Sequence, residues 1–167
     1  LCPNLIFVPG RMDEYKKASA EVFEIFSRYT NLIEQVSIDE AFLDVTDVWR
    51  DYGYAMEIAK LIKEDVRREV GLIISAGVSY NKFLAKIASD WRKPDGLCVI
   101  HPNAALKFID RLPVKAIWGV GPVTSQKMEA LGIFTGKDLR EKDLSFLVEQ
   151  FGSSGLSYYN FARCIDD

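Results

Sequence analysis

The sequence has few of the residues on which several common kinds of site depend. It contains one histidine, His101, and three cysteines, Cys2, Cys98 and Cys164, none of them spaced as a CxxC pair. An odd number of widely separated cysteines argues against a disulfide framework, and a zinc site would lack its usual ligands. A Ser/His/Asp hydrolase would have to be built around His101 alone. These absences exclude most disulfide-stabilised, zinc-binding and triad-hydrolase classes.

Long apolar runs are also missing. No stretch approaches the ~20 residues that a membrane helix needs. Residues 1–17 read LCPNLIFVPGRMDEYKK, with proline and glycine where a secretory leader would be continuously apolar. We therefore expect a cytoplasmic protein without a membrane partner. Because the chain opens with Leu rather than Met, we also expect it to be a fragment.

The charge shows little excess of either sign. The 167 residues include 21 basic and 24 acidic side chains, and 49% are hydrophobic, which is typical of a globular protein. Residues 1–100 hold 13 basic and 16 acidic side chains, and residues 101–167 hold eight of each. Neither half has the basic excess of a tight, autonomous nucleic-acid binder.

Hydrophobic periodicity predicts two kinds of architecture in succession. Up to residue 100, period-2 and continuous apolar runs alternate with helical spacing. The predicted strands are 5–8, 32–39, 41–46, 71–80 and 97–100, and the predicted helices begin near Asp13, Tyr54 and Lys82. This order predicts an α+β, ferredoxin-like domain over 1–100, a mainly antiparallel sheet with helices on one face. Short helical stretches separated by glycine then predict an all-α domain over 101–167.

The most informative segment is Ser37-Ile38-Asp39-Glu40, where two carboxylates adjoin at the turn between two predicted strands. Placing two like charges together raises at least one pKa unless a cation neutralises them. Mg²⁺ is suited to this, because it binds carboxylate oxygens and retains positions for water and phosphate. A solvated Asp-Glu turn is the alternative, and the spacing alone leaves both open. Asp44 on the next strand is expected to face solvent.

Two further segments could contact phosphate groups. Asn81 is expected to cap a helix that carries Lys82 and Lys86 on one face, with Asp90 one turn beyond Lys86 as a possible partner. In the second domain, Gly119-Val120-Gly121 precedes a helix and is typical of a helix-hairpin-helix. There the backbone N–H groups could approach a DNA phosphate, with Thr124, Ser125 and Lys127 as further donors. Solvated lysines and an ordinary helix-to-helix turn are the competing interpretations.

Taken as longer strings, these segments resemble the Y-family, translesion DNA polymerases of the DinB type. SIDEAFLDVT resembles the palm motif of that family, and AGVSYNKFLAKIASDWRKPDG resembles its other signature. IWGVGPVTSQKMEALGI and FGSSGLSYYNFARCID resemble the thumb. The resemblance runs over essentially the whole chain, with 1–100 as the C-terminal part of the palm and 101–167 as the thumb.

The resemblance implies template-directed addition of dNTPs to the 3′-hydroxyl of a primer, on a primer–template DNA, with two Mg²⁺ ions in the complete site. It implies that Asp39 is a ligand of the catalytic ions and that Glu40 ligates or orients the attacking hydroxyl. It assigns Lys93 to the incoming triphosphate and Gly119, Val120, Gly121, Thr124, Ser125 and Lys127 to DNA.

Several parts of the family pattern are missing from this sequence. The first metal-binding aspartate and the finger residues would precede Leu1, and a basic domain and a tail that binds a sliding clamp would follow Asp167. We therefore expect the segment alone to be inactive or nearly so. Cys164 stands where the family usually has glycine, and only a changed helix end is expected there. A noncatalytic DNA-binding or partner-docking module and a nucleotide cyclase on a similar sheet remain as alternatives.

Overall fold

The computed structural model describes residues 3–166 of the chain. Backbone contacts divide it into two compact units, Leu1–Leu72 and Ile73–Asp167. Each unit has its own helices, strands and buried residues. Among the described residues, no helix is both long and apolar enough to cross a membrane.

The described part of the first unit is a hairpin of two strands accompanied by helices. Its elements are α1 (Met12–Ser27), β1 (Ile33–Gln35), β2 (Ala41–Leu43), α2 (Trp49–Tyr52), α3 (Ala55–Asp65) and a π-helical turn (Val66–Val70). Helix α1 lies against α3 and the π-helical turn, and the buried hydrophobic side chains of this unit come from these three elements. They recur at the three- and four-residue spacing of an apolar stripe. The members of this core are Val22, Ile25, Ile58, Ile62 and Val66.

Strands β1 and β2 pair antiparallel, with Ile33 opposite Leu43 and Gln35 opposite Ala41. The two tightly joined strands predicted from the alternating pattern are therefore confirmed, although they are shorter than predicted. The strand predicted over 5–8 is wrong. Those residues form no strand and all four side chains are exposed. An apolar run becomes a strand only when its backbone groups find a partner, and none of the residues 3–166 pairs with it.

The described part of the second unit begins with a strand–helix–strand element and continues as helices. The elements are β3 (Ala76–Val78), α4 (Lys82–Trp91), β4 (Leu97–Val99), α5 (Pro102–Arg111), a 3-10 turn (Val114–Ala116), α6 (Pro122–Ala130), α7 (Gly136–Arg140), α8 (Leu144–Phe151) and α9 (Ser154–Phe161). Strands β3 and β4 pair in parallel, because α4 carries the chain back to the same end of the pair. The α+β class followed by an all-helical segment is confirmed.

Glycine at position 77 lets α4 lie directly on β3. A Cβ atom there would stand 2.0 Å from the carbonyl oxygen of Ala85 and 2.3 Å from the amide nitrogen of Ser89. Both neighbours are backbone atoms of α4, so neither can rotate away. This contact sets how closely strand and helix approach.

The N-terminus of α4 is capped twice. The side chain of Asn81 accepts a hydrogen bond from the Leu84 N–H at 3.0 Å, which confirms the predicted cap. Asp166, near the other end of the unit, accepts from the Phe83 N–H at 2.7 Å. The Asn81 amide also donates to the carbonyl of Cys164 at 2.9 Å. These two hydrogen bonds hold the segment from Cys164 to Asp166 against the start of α4.

The end of α9 has the hydrogen bonds of a Schellman motif. The Cys164 N–H donates to Phe161 and the Ile165 N–H donates to Asn160, each at 3.0 Å. Cys164 has φ of +60°, the left-handed conformation that glycine adopts without strain. The substitution noted in the sequence therefore falls on a helix end.

One core joins α4 to the helices that follow residue 101. Phe83 and Leu84 of α4 belong to the same buried cluster as Ile109, Met128 and Leu147. The rings of Phe83 and Phe161 stack with centroids 4.1 Å apart. The division into 1–100 and 101–167 stays a prediction, and the compact units of this structure divide at Leu72 instead.

We expect Gly77→Ala to lower the free energy of unfolding by about 3 kcal/mol, because a new Cβ in a closely packed contact forces the backbone of α4 away from β3. Urea unfolding followed by circular dichroism measures the change. Gly10→Ala is the matched control, since no atom lies within 4 Å of its Cβ position. Equal stability of the two variants would show that the contact is not closely packed.

A pH-dependent contribution is expected from Tyr29, whose hydroxyl donates to Asp65 at 2.6 Å. Burial and this bond raise the pKa of Tyr29, and the same bond, with the nearby arginines, lowers the pKa of Asp65 although burial opposes it. Tyr29→Phe should cost about 1 kcal/mol at pH 7. Because the pKa of Asp65 is depressed, the cost should be present above about pH 4 and shrink as Asp65 is protonated.

The stability lost in Tyr29→Phe should also shrink at high pH. Because the pKa of Tyr29 is raised in the folded protein, the stabilisation by its hydroxyl is complete below about pH 10 and decreases above it. Urea titrations at pH 3, 7 and 10.5 test both limits. Tyr15→Phe, at an exposed tyrosine, serves as control. A cost that is the same at pH 3 and pH 7 would contradict the assignment of the bond to ionised Asp65.

Candidate functional site

The turn between β1 and β2 presents the two adjacent carboxylates. The N–H groups of Val36 and Ser37 both donate to the carbonyl of Glu40, at 2.9 and 3.2 Å, and close the turn. Helix α1 holds the turn from one side, because the hydroxyl of Ser19 donates to the carbonyl of Ile38. The backbone under Asp39 and Glu40 is therefore fixed by hydrogen bonds rather than by burial.

Ser37 orients Asp39. Its hydroxyl donates to Oδ1 of Asp39 at 2.7 Å, and it accepts from the Asp39 N–H at 3.3 Å. Within residues 3–166, Oδ2 of Asp39 accepts no hydrogen bond. Asp39 is exposed and Glu40 is half-buried. The turn thus offers one aligned and accessible carboxylate next to a partly shielded one.

No three side chains of the His, Cys, Asp or Glu type converge among the described residues. Among the described residues, Asp39 and Glu40 are two adjacent carboxylates and not part of a larger cluster of such side chains. Asp44 is exposed, as expected, and has a local role. Its pKa is lowered by the hydrogen bonds from Thr46, and its carboxylate accepts the Thr46 N–H at 2.9 Å.

In the second unit, Asp90 forms ion pairs with two lysines at the C-terminal end of α4. Lys86 Nζ lies 3.3 Å from Oδ2 of Asp90, and Lys93 Nζ lies 2.6 Å from Oδ1. Burial raises the pKa of Asp90, but the hydrogen bond from Lys93 and the charges of both lysines outweigh it and lower that pKa. The pairing of Lys86 with Asp90 is confirmed. The pairing of Lys93 was missed, although its i, i+3 spacing was readable in the sequence.

The residues after Lys93 form a tight connection into β4. Gly96 lies against the end of α4, where a Cβ would stand 2.4 Å from the carbonyl oxygen of Arg92. The Gly96 N–H donates to the hydroxyl of Ser75 at 3.1 Å. Lys93 is therefore placed between the end of a helix and a packed turn.

The turn formed by Gly119, Val120 and Gly121, called the hairpin below, lies directly before α6. Gly119 has φ of +83°, which a side chain would strain, and its carbonyl accepts from the hydroxyl of Tyr158 at 3.3 Å. Val120 is buried beneath the turn, and Gly121 is the N-cap residue of α6, which begins at Pro122. The first N–H groups of a helix have no partner within the helix.

Two of the three side chains assigned to DNA after the hairpin, Ser125 and Lys127, have partners within the protein. Ser125 is buried and its hydroxyl lies 3.3 Å from a carboxylate oxygen of Glu129. The ammonium of Lys127 donates to the carbonyl of Gln150 and lies 5.1 Å from the ring centroid of Phe151. Thr124 is half-buried. In the turn itself, Gly119 and Gly121 are exposed, whereas the N–H of the buried Val120 donates to the carbonyl of Ile117 at 3.0 Å.

A cleft of about 370 Å³ is lined by the C-terminal end of α4 and by the segment that leads into the hairpin. Its lining includes Asp90 and Trp91 on one side and the segment from Lys115 to Gly119 on the other. The structure therefore brings Asp39 together with Glu40 in the first unit, and it brings Asp90 near Gly119 in the second.

Two family descriptions match the chain. The impB/mucB/samB family matches residues 1–90, and the IMS family HHH motif matches residues 102–133. The second match covers the hairpin together with the whole of α5 and α6. It agrees with the helix-hairpin-helix predicted from the glycines.

Curated relatives and solved structures agree with these matches. The chain is 61% identical over 166 residues to DNA polymerase IV of Bacteroides fragilis, and 58% identical over 167 residues to that of Akkermansia muciniphila. These alignments cover 99% and 100% of this chain and 46% of each relative. The chain thus spans about half the length of the curated relatives it matches.

Among solved structures, DinB from Sulfolobus solfataricus superimposes with a TM-score of 0.90 at 31% identity, over 99% of this chain and 50% of that one. An insertion ternary complex of Dbh DNA polymerase gives a TM-score of 0.91 at 32% identity, over 99% and 48%. The family match over more than half of the residues, together with these relatives, shows that the chain belongs to the impB/mucB/samB family of Y-family, DinB-type proteins.

Proposed function

We propose that this chain supplies the C-terminal part of the palm (1–100) and the thumb (101–167) of a template-directed, translesion DNA polymerase. The observation that carries the proposal is the pair of carboxylates at the β1–β2 turn of a family member. The complete protein would add dNTPs to the 3′-hydroxyl of a primer paired with a template. It would act in the cytoplasm and bind a sliding clamp through a segment outside this sequence.

The donor set of the turn fits Mg²⁺. Asp39 and Glu40 offer hard carboxylate oxygens, and the exposure of Asp39 leaves room for water and phosphate ligands. When bound, two such ions would neutralise the triphosphate and the attacking oxygen. Ser37 would keep one oxygen of Asp39 in a fixed direction through its 2.7 Å hydrogen bond. Glu40 would ligate or orient from the partly shielded position.

Lys93 would contact the incoming triphosphate. An ammonium group is a compact charge with three donors, and it binds phosphate oxygens without a required plane. Its position after the last turn of α4, 53% exposed in the side chain, leaves it accessible to a ligand. Lys82 and Lys86 would add positive charge on the same helix.

The hairpin would hold a DNA backbone. Gly119 and Gly121 would present backbone N–H groups to a phosphate at the N-terminus of α6, where the helix dipole favours an anion. Val120, which is buried and donates its N–H to the carbonyl of Ile117, would support the turn between them. Thr124, Ser125 and Lys127 would act from the first turns of that helix. Such contacts position a duplex without reading its sequence.

Asp39→Ala in the full-length protein should reduce primer extension with Mg²⁺ and dNTP by roughly 10³-fold, because losing a metal ligand removes several kcal/mol of transition-state stabilisation. Glu40→Ala should have a similar effect. Extension of a labelled primer on an undamaged template measures it, and Asp47→Asn, an exposed acid beyond β2, is the control.

Circular dichroism should give the same melting temperature for the three variants. Unchanged extension by Asp39→Ala would reject the assignment of the site. Salt-sensitive, Mg²⁺-independent DNA binding by a parent that never extends a primer would favour the noncatalytic module instead.

Gly121→Ala should weaken binding of primer–template DNA by about threefold to tenfold, the value of one hydrogen bond of ~1 kcal/mol. No atom of residues 3–166 outside the immediate chain neighbours lies within 4 Å of the Cβ position, and φ of −79° suits alanine. The added methyl group therefore meets the ligand and not the fold.

Fluorescence anisotropy of labelled DNA, with the full-length protein at fixed salt, measures the affinity. Gly10→Ala has an equally open Cβ position and should bind as the parent does. Equal affinities of the two variants would remove the hairpin backbone from the DNA contact.

A further inference from the structure

Asp90 and Lys93 form an ion pair at the C-terminal end of α4. Their side chains are 48% and 53% exposed. Exposed ion pairs contribute little to stability. The close 2.6 Å approach of Lys93 Nζ to Oδ1 of Asp90 is therefore better explained by what it does to the lysine than by what it adds to the fold.

Asp90 is held more rigidly than Lys93. It lies in the last turn of α4, whose neighbouring residues Ile87 and Ala88 are buried and whose backbone is in contact with Gly77. Its second oxygen is 3.3 Å from the ammonium of Lys86, a side chain only 18% exposed. The backbone of Asp90 is consequently held by the helix, and its carboxylate is held by the ion pair with Lys86.

Lys93 lies beyond the end of α4, and its four-carbon side chain has many rotamers in the absence of a partner. An ammonium group has three donors, and the one acceptor given for Lys93 within residues 3–166 is Asp90, so a bound phosphate could use the others. A side chain that is already ordered loses less entropy when it binds a phosphate oxygen. Asp90, Lys86 and Lys93 together carry one net positive charge, which favours an anion.

We propose that Asp90 is a positioning residue for Lys93, holding its ammonium in the orientation that meets the triphosphate of the incoming nucleotide. The inference depends on the proposed contact between Lys93 and the triphosphate, and it adds a second residue that acts only through the first. A competing role, in which Asp90 merely lowers the local positive charge, predicts the opposite sign when Asp90 is neutralised.

The test is steady-state insertion of a single dNTP by the full-length protein on a primer–template, with five variants. Asp90→Asn keeps the size of the side chain and removes its charge. Lys93→Ala removes the ammonium, and the double variant combines the two changes. Asp143→Asn is the matched control, because Asp143 caps α8 through a 2.8 Å bond from the Phe146 N–H that asparagine can also accept.

Asp90→Asn should raise KM for dNTP about fivefold, with a smaller change in kcat and no change in the Kd for DNA. The double variant should behave as Lys93→Ala alone, because Asp90 has nothing left to position. Asp90→Glu, which retains the charge, should restore part of the lost affinity. Melting temperatures of all variants should agree with that of the parent.

Each contrary result has a definite meaning. A lower KM in Asp90→Asn, or additive effects in the double variant, would overturn the positioning role while leaving the contact of Lys93 in place. An unchanged KM in Lys93→Ala would instead reject the proposed triphosphate contact itself, and the inference with it. The two failures are therefore distinguishable.

Discussion

Helix α4 reaches its place on strand β3 because residue 77 has no side chain. The close approach fixes the register of the helix, and with it the direction of every side chain along its length. Asn81 and Asp166 satisfy donors at its start, while Asp90 carries two lysines at its end. The positions of Asn81 at the start of α4 and of Asp90 at its end therefore depend on this one packed contact.

The two units present their candidate groups in different ways. In the first, a hydrogen-bonded turn exposes carboxylates that the core does not bury, with Ser37 and Ser19 as local supports. In the second, a buried cluster shared by α4 and the later helices supports surface groups at the rim of a cleft. An acidic group that must bind cations needs solvent access, whereas lysines that bind an anion gain from a fixed direction.

Side chains near the hairpin have partners that change how the segment would bind DNA. Ser125 and Lys127 bond within the protein, so the glycine backbone is the part most free to meet a phosphate. Backbone donors carry no sequence preference. Under the proposed function, contacts of this kind would position a duplex without selecting its sequence. The near-neutral charge of residues 101–167 is consistent with a modest grip.

The sequence alone determined the α+β class, the longer helices, the cap at Asn81, the acidic turn and the family. Each depends on periodicity, a capping residue or a motif, all of which are local in the chain. It did not determine that residues 5–8 stay unpaired, or that β3 and β4 run parallel, because strand pairing depends on a distant partner. Tertiary structure also decided that Asp166 caps α4 and that Gly77 is in close contact with it. Those interactions join residues of different secondary-structure elements, so a pattern within one element does not predict them.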